Sequence, residues 1–410
     1  MNFFRTICLA LILLAMSEPG AATQDLTSYT DLPMVSNPNP ESTPSTLTLQ
    51  EIWRLDCSED ADILIGRIKK AAAAQNGNVL LLDTQLNQAL EVDSHGLVVR
   101  TYGSQGEGPG ETTGAFDLCQ LSDGRVAIME GSPARTMTMS GQGKIHILAP
   151  NGDPLEMWRP ADEKVAGEFP NLRAVRLSGK RILVGYQLTQ VSPPEMTWTN
   201  HLILMDEDGH QLALLGEKVF VTNFSDTTNR ESDEHEPFSG GRFDIDAGGR
   251  VAMVPDRDLY RVVVRNMDGS GFQLEMPTRN CKRPQEVIDE MVESNSAGPY
   301  IFEALPNEPE INRVRWRPNG SLWVEHCTSQ DDLPENVFIR FDEFDETGVF
   351  RRQVDVHVSG NPKTDRLLLM SDGRFVMIRN LYNPEGESTS EGGSDLEVIL
   401  YANPQQDAGH

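Results

Sequence analysis

The sequence predicts an all-β fold, a six-bladed β-propeller with four-stranded antiparallel blades. Three observations predict it. A turn ending in glycine, followed by a short apolar strand, recurs six times: QNGNVLLL, SDGRVAIM, LSGKRILVGY, AGGRVAMV, PNGSLWVE and SDGRFVMI. A second glycine turn follows in the first five units. The last unit lacks a strand, and one spare strand-like segment precedes the first unit.

The chain has 410 residues, with 62 Asp+Glu against 35 Lys+Arg, for a formal net charge of -27. That balance argues against nucleic acid and against anionic membrane surfaces, because both need basic protein surface. Residues 1–22 read as a secretory signal peptide: Arg5 supplies the positive start, Ile7 to Ala15 form a short apolar run, and Gly20, Ala21 and Ala22 are small. Such a run is too short to span a bilayer. The mature chain is therefore expected to be secreted or periplasmic, without stable membrane insertion. Residues 23–46, rich in Ser, Thr, Pro and Asn, read as a flexible linker.

The propeller is expected over residues 47–404. Its first turn glycines are Gly77, Gly124, Gly179, Gly249, Gly320 and Gly373, and the second set is Gly96, Gly152, Gly209, Gly269 and Gly348. Asn-Gly and Asp-Gly suit tight hairpins because they tolerate positive φ. Two hairpins per unit make a four-stranded blade. The segment LTLQEIWRL, from Leu47 to Leu55, alternates like a strand and is expected to close the ring within the last blade. Closure removes exposed sheet edges. Two insertions interrupt the spacing. Glu231, Asp233, Glu234 and Glu236 read as a solvated acidic loop. Between blades 4 and 5, PQEVIDEMVESN reads as a short helix, started by Pro284 and carrying an apolar stripe of Val287, Ile288, Met291 and Val292. Residues 405–410 read as a disordered tail.

Four cysteines remain after the signal: Cys57, Cys119, Cys281 and Cys327. No CxxC is present, and the separations do not suggest a zinc site. In propeller topology, Cys281, in the link into blade 5, and Cys327, at the end of that blade's second strand, share a face. They form the favoured disulfide.

The first unit reads GNVLLLDTQLNQALEVDSHGLVVRTYGSQGEGPGE. Asp83, Asn87, Asp93, Gly96 and the run from Gly106 to Glu111 resemble an NHL repeat, and more narrowly the exported bacterial six-bladed β-propeller proteins. The resemblance covers one blade. It implies the propeller fold and export. The wider group includes binding scaffolds, lyases and lactonases, so the resemblance selects no chemistry. The glycine-rich run lacks the Gly-Lys-Ser/Thr and the helix of a phosphate-binding loop, and reads as a blade-to-blade turn.

Ligands of propellers are expected in the central channel, where the inner strands converge. Seven residues before each first turn glycine stand Lys70, Asp117, Leu172, Arg242, Arg313 and Arg366. Lys69, Arg173 and Arg315 are neighbours on those strands. Lys70, Arg242, Arg313, Arg366, Arg173 and Arg315 thus form a candidate ligand-binding set for a small anionic ligand or acidic peptide, gripped through charge-assisted hydrogen bonds. Asp117, Asp244 and Asp365 could instead pair with these cations between blades. The alternative reading is a calcium-dependent lactonase or hydrolase, or an NHL-type lyase, with Asp117, Asn171, Asp244, Asn312 and Asp365 as the oxygen ligands that calcium favours. Basic neighbours oppose a cation there. No HExxH, GxSxG or EF-hand loop is present. The favoured reading is a monomeric, non-catalytic binding or scaffold propeller that needs no cofactor.

Overall fold

The computed structural model describes residues 23–404, apart from 58–63, 132–142, 160–167, 224, 227, 232–237, 239–240, 297–300, 329–332 and 382–395. The predicted signal peptide and C-terminal tail lie outside the described residues. The strands fall into six antiparallel blades around a central channel. Inner strands are Ile68–Ala73, Ala115–Gln120, Glu168–Ser178, Phe243–Ile245, Ile311–Trp316 and Arg366–Leu369, for blades 1 to 6 in turn. The chain is a six-bladed β-propeller.

The glycine turns do what the sequence reading asks of them. Gly124 has φ 88° and Gly249 has φ 87°, conformations that a side chain would strain. Blade 3 is the long one. Its middle strands, Arg181–Ser192 and Glu195–Asp206, join at Pro193 and Pro194. The irregular SPPEMTW sequence is thus a hairpin end of two long strands.

Six apolar clusters hold the blades together, one at each blade interface. Ile68, Val79 and Leu81 of blade 1 meet Val376, Ile378 and Val398 of blade 6, all fully buried. The second strand of each blade alternates between two interfaces, which explains its near-continuous apolar sequence. Trp53, Trp158, Trp316 and Trp323 are buried in these clusters, as expected of residues that fill the widening gaps between blades.

Closure works as predicted, with one change of boundary. Gln50–Asp56 pairs antiparallel with Glu397–Ala402 and supplies the fourth strand of blade 6. Leu47 and Thr48 instead belong to a separate strand, Ser45–Thr48, on blade 5.

The segment read as a flexible linker is a strap around the rim. Gln24–Asp25 adds a parallel fifth strand to blade 3, Met34–Ser36 one to blade 4, and Ser45–Thr48 one to blade 5. Composition concealed this because edge strands gain mainly backbone hydrogen bonds, which carry no side-chain signature. Leu26, Leu47 and Leu49 are the apolar anchors, each less than 10% exposed. Asn37 fastens the strap between strands. Its Nδ2 donates to the Gly348 carbonyl at 3.0 Å, and its Oδ1 accepts from the Phe350 amide at 2.7 Å.

The predicted helix forms over Gln285–Asn295, with its apolar stripe half-buried. A two-stranded ribbon, Thr228–Arg230 with Ile301–Glu303, accompanies it. Glu231 corrects the solvated-loop expectation. Its carboxylate is bound by Arg257 at 3.0 Å, by Arg283 at 2.8 Å and by the Leu305 amide at 2.8 Å, so it fastens the insertion to the blades. Asp233, Glu234 and Glu236 lie outside the described residues. Cys281 and Cys327 form the predicted disulfide, with Cα atoms 6.0 Å apart.

Candidate functional site

The residues of the NHL-like unit serve the fold. Asp83 accepts the amides of Gly66, Arg67, Gln85 and Leu86 at 2.7–3.0 Å, tying the blade's inner strand to its second strand. Asn87, at φ 53°, accepts the Ala115 amide at 2.9 Å and latches blade 1 to blade 2. Glu111 accepts the Gly108 amide at 2.8 Å and closes the glycine-rich turn.

The inner strands surround a cavity of about 110 Å³. Lys70, Arg176, Arg313, Arg315 and Arg366 line it, together with Asp117 and Asp244. Five cationic side chains thus face two carboxylates, in a chain whose net charge is -27. Four of the six residues in the predicted ligand set are there: Lys70, Arg313, Arg315 and Arg366. Two are not. Arg242 turns toward blade 5, where its Nε donates to the Ile311 carbonyl at 3.2 Å. Arg173 donates to Gln187 Oε1 at 2.6 Å within blade 3.

Arg176 was missed, and the reason is geometric. The first hairpin of blade 3 is tight, with Ser178 paired to Arg181, whereas the last pair of blade 1 is Ala73 with Val79. Counting seven residues back from Gly179 overshoots by three and lands on Leu172. Leu172 is instead buried in the interface with blade 2. Counting from the strand pairs would have placed Val175 opposite Lys70 and brought Arg176 into view.

Charge is unevenly satisfied here. Asp117 lies 3.6 Å from Lys70 and 3.4 Å from Arg176, and also accepts the Val175 amide at 3.2 Å. Asp244 accepts the Trp316 amide at 2.8 Å. Burial raises the Asp244 pKa, while Arg315 and Arg176 oppose that rise. Arg313 reaches out of the cavity to Glu325 at 3.1 Å and to the Leu367 carbonyl at 3.2 Å. The cations also press on one another. Asp117 favours charged Lys70, but burial together with Arg176, Arg366 and Arg315 draws its pKa down to about 8. Burial, with Arg176 next, draws Arg315 down to about 9. Cys119 lines the same cavity as a buried thiol, its pKa raised by burial and then by Asp117.

Among the described residues, the calcium set does not assemble. Asp117 and Asp244 reach the cavity, but their oxygens already hold backbone amides and face guanidinium groups. Asp365 closes a turn, accepting the Asn361 amide at 2.8 Å and the Asn380 amide at 3.0 Å. Asn312 is exposed. Asn171 lies on the inner strand of blade 3, and its side chain is outside the described residues. Two carboxylates among five cations do not fit a calcium ion, which takes six to eight oxygens. Among the described residues, Asp206, Asp208 and His210 do come together, at an exposed hairpin turn.

No protein-family model and no curated protein matches the sequence. Solved structures do resemble the fold. An exported-protein candidate from Bacteroides fragilis is 11% identical, with 90% of this chain and 98% of that chain covered and a TM-score of 0.44. A member of the DUF4221 family from Bacteroides vulgatus is 11% identical, with 86% and 97% covered and a TM-score of 0.47. Virginiamycin B lyase from Staphylococcus aureus is 9% identical, with 89% and 96% covered and a TM-score of 0.40. At these values the likenesses carry no inference about chemistry. Among the described residues, no helix is long and apolar enough to cross a membrane.

Proposed function

We propose that this chain is an exported binding propeller whose central channel takes a small oxyanion, or the anionic end of a larger molecule such as an acidic peptide. One observation carries the reading: Lys70, Arg176, Arg313, Arg315 and Arg366 converge on a cavity where, among the described residues, Asp117 and Asp244 are the carboxylates that line it in return. Crowded cations in a poorly hydrated space gain from an anion that relieves their mutual repulsion. Guanidinium groups offer the forked donors that carboxylate, sulfate and phosphate accept. The cavity volume, about 110 Å³, suits a small ion or a terminal group, since sites for whole organic ligands run to roughly 300–1,000 Å³. Export is supported by the N-terminal Arg5 and Ile7–Ala15 pattern and by the Cys281–Cys327 disulfide, a bond kept mainly outside the reducing cytosol.

The test is thermal unfolding of wild type and Arg366→Gln with sulfate, phosphate, acetate and glucuronate, each with and without chelator. Sulfate stabilises many proteins by exclusion, so the wild-type-minus-variant difference is what matters. A ligand at 100 times its Kd stabilises by about 2.7 kcal/mol. The expected result is a rise in Tm with at least one anion that Arg366→Gln loses and chelator leaves alone. Equal shifts in both proteins would sink the reading.

A further inference from the structure

A second cationic region lies away from the channel, beside the disulfide. It is a cleft of about 710 Å³ between the strap and blade 5. Asn39 and Pro40 of the strap form one wall. The Cys281–Cys327 bridge and Lys282 form another, and His326, Thr328, Arg340 and Gln353 of blade 5 form the floor with Arg279. Among the described residues, three cations line this cleft and no carboxylate does.

The matching carboxylates sit behind the surface. Arg279 Nη2 lies 2.8 Å from Asp342, which is fully buried. Asp342 also accepts from Tyr260 at 2.7 Å and from Gln353 at 2.8 Å. Arg340 makes two bonds to buried Asp355, at 2.5 and 2.9 Å. Each guanidinium is thereby fixed in place with donors left over, since a guanidinium has five N–H groups. Arg279 also lies against His326. Burial draws the His326 pKa down to about 4, so the imidazole is neutral at ordinary pH and tolerates its cationic neighbour. Lys282 adds an exposed charge at the rim. Its Nζ donates to Asn307 Oδ1 at 3.0 Å.

We infer that this cleft is a second binding site, separate from the channel, for a hydroxylated organic anion bearing a carboxylate or a sulfate. Its volume falls within the range of sites for whole organic ligands, roughly 300–1,000 Å³, which the channel cavity does not reach. Lys282 supplies net charge, and Arg279 and Arg340, each backed by a buried carboxylate, supply fixed donors. Asn39, Thr328 and Gln353 supply amide and hydroxyl groups that suit hydroxyls better than an apolar body. Among the described residues, no Phe, Tyr or Trp lines the cleft, which disfavours an aromatic ligand.

Titration calorimetry on the full chain at low ionic strength tests this. The probes are a glucuronate-containing disaccharide, a sulfated disaccharide and a neutral disaccharide. The variants are Lys282→Glu, Arg340→Gln and the channel variant Arg366→Gln. Lys282 is exposed, so its reversal leaves the fold intact even if Arg340→Gln does not. At least one acidic disaccharide binds wild type and the neutral one does not. The stronger acidic probe tells sulfate from carboxylate recognition. Lys282→Glu weakens that binding roughly five- to tenfold at low salt, and Arg366→Gln changes it less than about twofold. Three results would overturn the inference: no acidic probe binding wild type at millimolar concentration, Lys282→Glu binding like wild type, or a loss that follows Arg366→Gln. The last would move the ligand to the channel and leave the channel reading standing.

Discussion

The channel and the disulfide cleft gather cations in opposite ways. In the channel, Lys70, Arg176 and Arg315 crowd around Asp117 and Asp244; Asp117 favours charged Lys70, but burial and then the neighbouring guanidinium groups draw Lys70 to about 8, and burial with Arg176 next draws Arg315 to about 9. In the cleft, Arg279 and Arg340 each have a buried carboxylate of their own, Asp342 and Asp355. The first arrangement sets cations against one another in a buried space, a repulsion that the proposed anion would relieve. The second is already neutralised from behind, so it presents fixed donors at little electrostatic cost. Positive lining alone therefore does not define a site's behaviour. Where the counter-charge stands decides whether binding is coupled to protons or is insensitive to them.

The sharpest way to break the comparison is to remove the cleft's buried counter-charge. Asp342→Ala strands Arg279 and takes away the acceptor of Tyr260 and Gln353. Breaking a buried pair costs roughly 3–5 kcal/mol. Denaturant unfolding of the variant is expected to fall in that range. A loss below about 1 kcal/mol would mean that Asp342 is not the support described here.

The disulfide comes next. It closes a loop of 46 residues, for which the chain-entropy estimate is about 4 kcal/mol, commonly delivered only in part. Cys281→Ser with Cys327→Ser should lower stability by up to that amount. It should also weaken ligands of the cleft, whose wall the bridge forms, while channel binding keeps its affinity. Equal losses at both sites would show that the bridge supports the whole ring.

How much of this was legible in the sequence follows from what each residue type signals. Turn glycines report backbone conformation directly, so the blade count, the hairpins and the ring closure were readable. Cys281 and Cys327 could be paired because propeller topology puts both on one face. The strap was not readable, since Gln24–Asp25, Met34–Ser36 and Ser45–Thr48 join edges through backbone groups. In the channel, counting from glycine found Lys70, Arg313 and Arg366 but failed in blade 3, where a tighter turn hides Arg176. Arg242 has the right spacing, one residue before its strand, yet its side chain goes to the Ile311 carbonyl. Position on a strand is a property of spacing; the direction of a long side chain depends on neighbours from another blade. The cleft could not be seen at all, because its lining comes from the strap, an insertion and three strands of blade 5.

The subtlest expected difference is in pH dependence, and it sets the two regions apart without any mutation. Lys70 faces Asp117 from blade 2, Arg176 from blade 3, Arg315 from blade 5 and Arg366 from blade 6. Its folded pKa, about 8, lies below the ordinary Lys value of 10.5. Between these values the unfolded chain holds more protons than the folded one. Stability without ligand therefore gains from this group as pH rises from about 8 toward 10.5. An anion in the channel reverses the sign, because it favours the charged amine. Its binding should draw a proton onto Lys70 and weaken as pH passes 8. The cleft should stay level over the same range, since His326, at about 4, is already neutral. Calorimetry in two buffers of different ionisation enthalpy, at pH 7 and pH 9, measures this directly. Proton uptake with a channel anion and none with a cleft ligand would uphold the distinction; uptake at neither site would mean that Lys70 keeps its proton without help and that the channel's repulsion is weaker than its geometry implies.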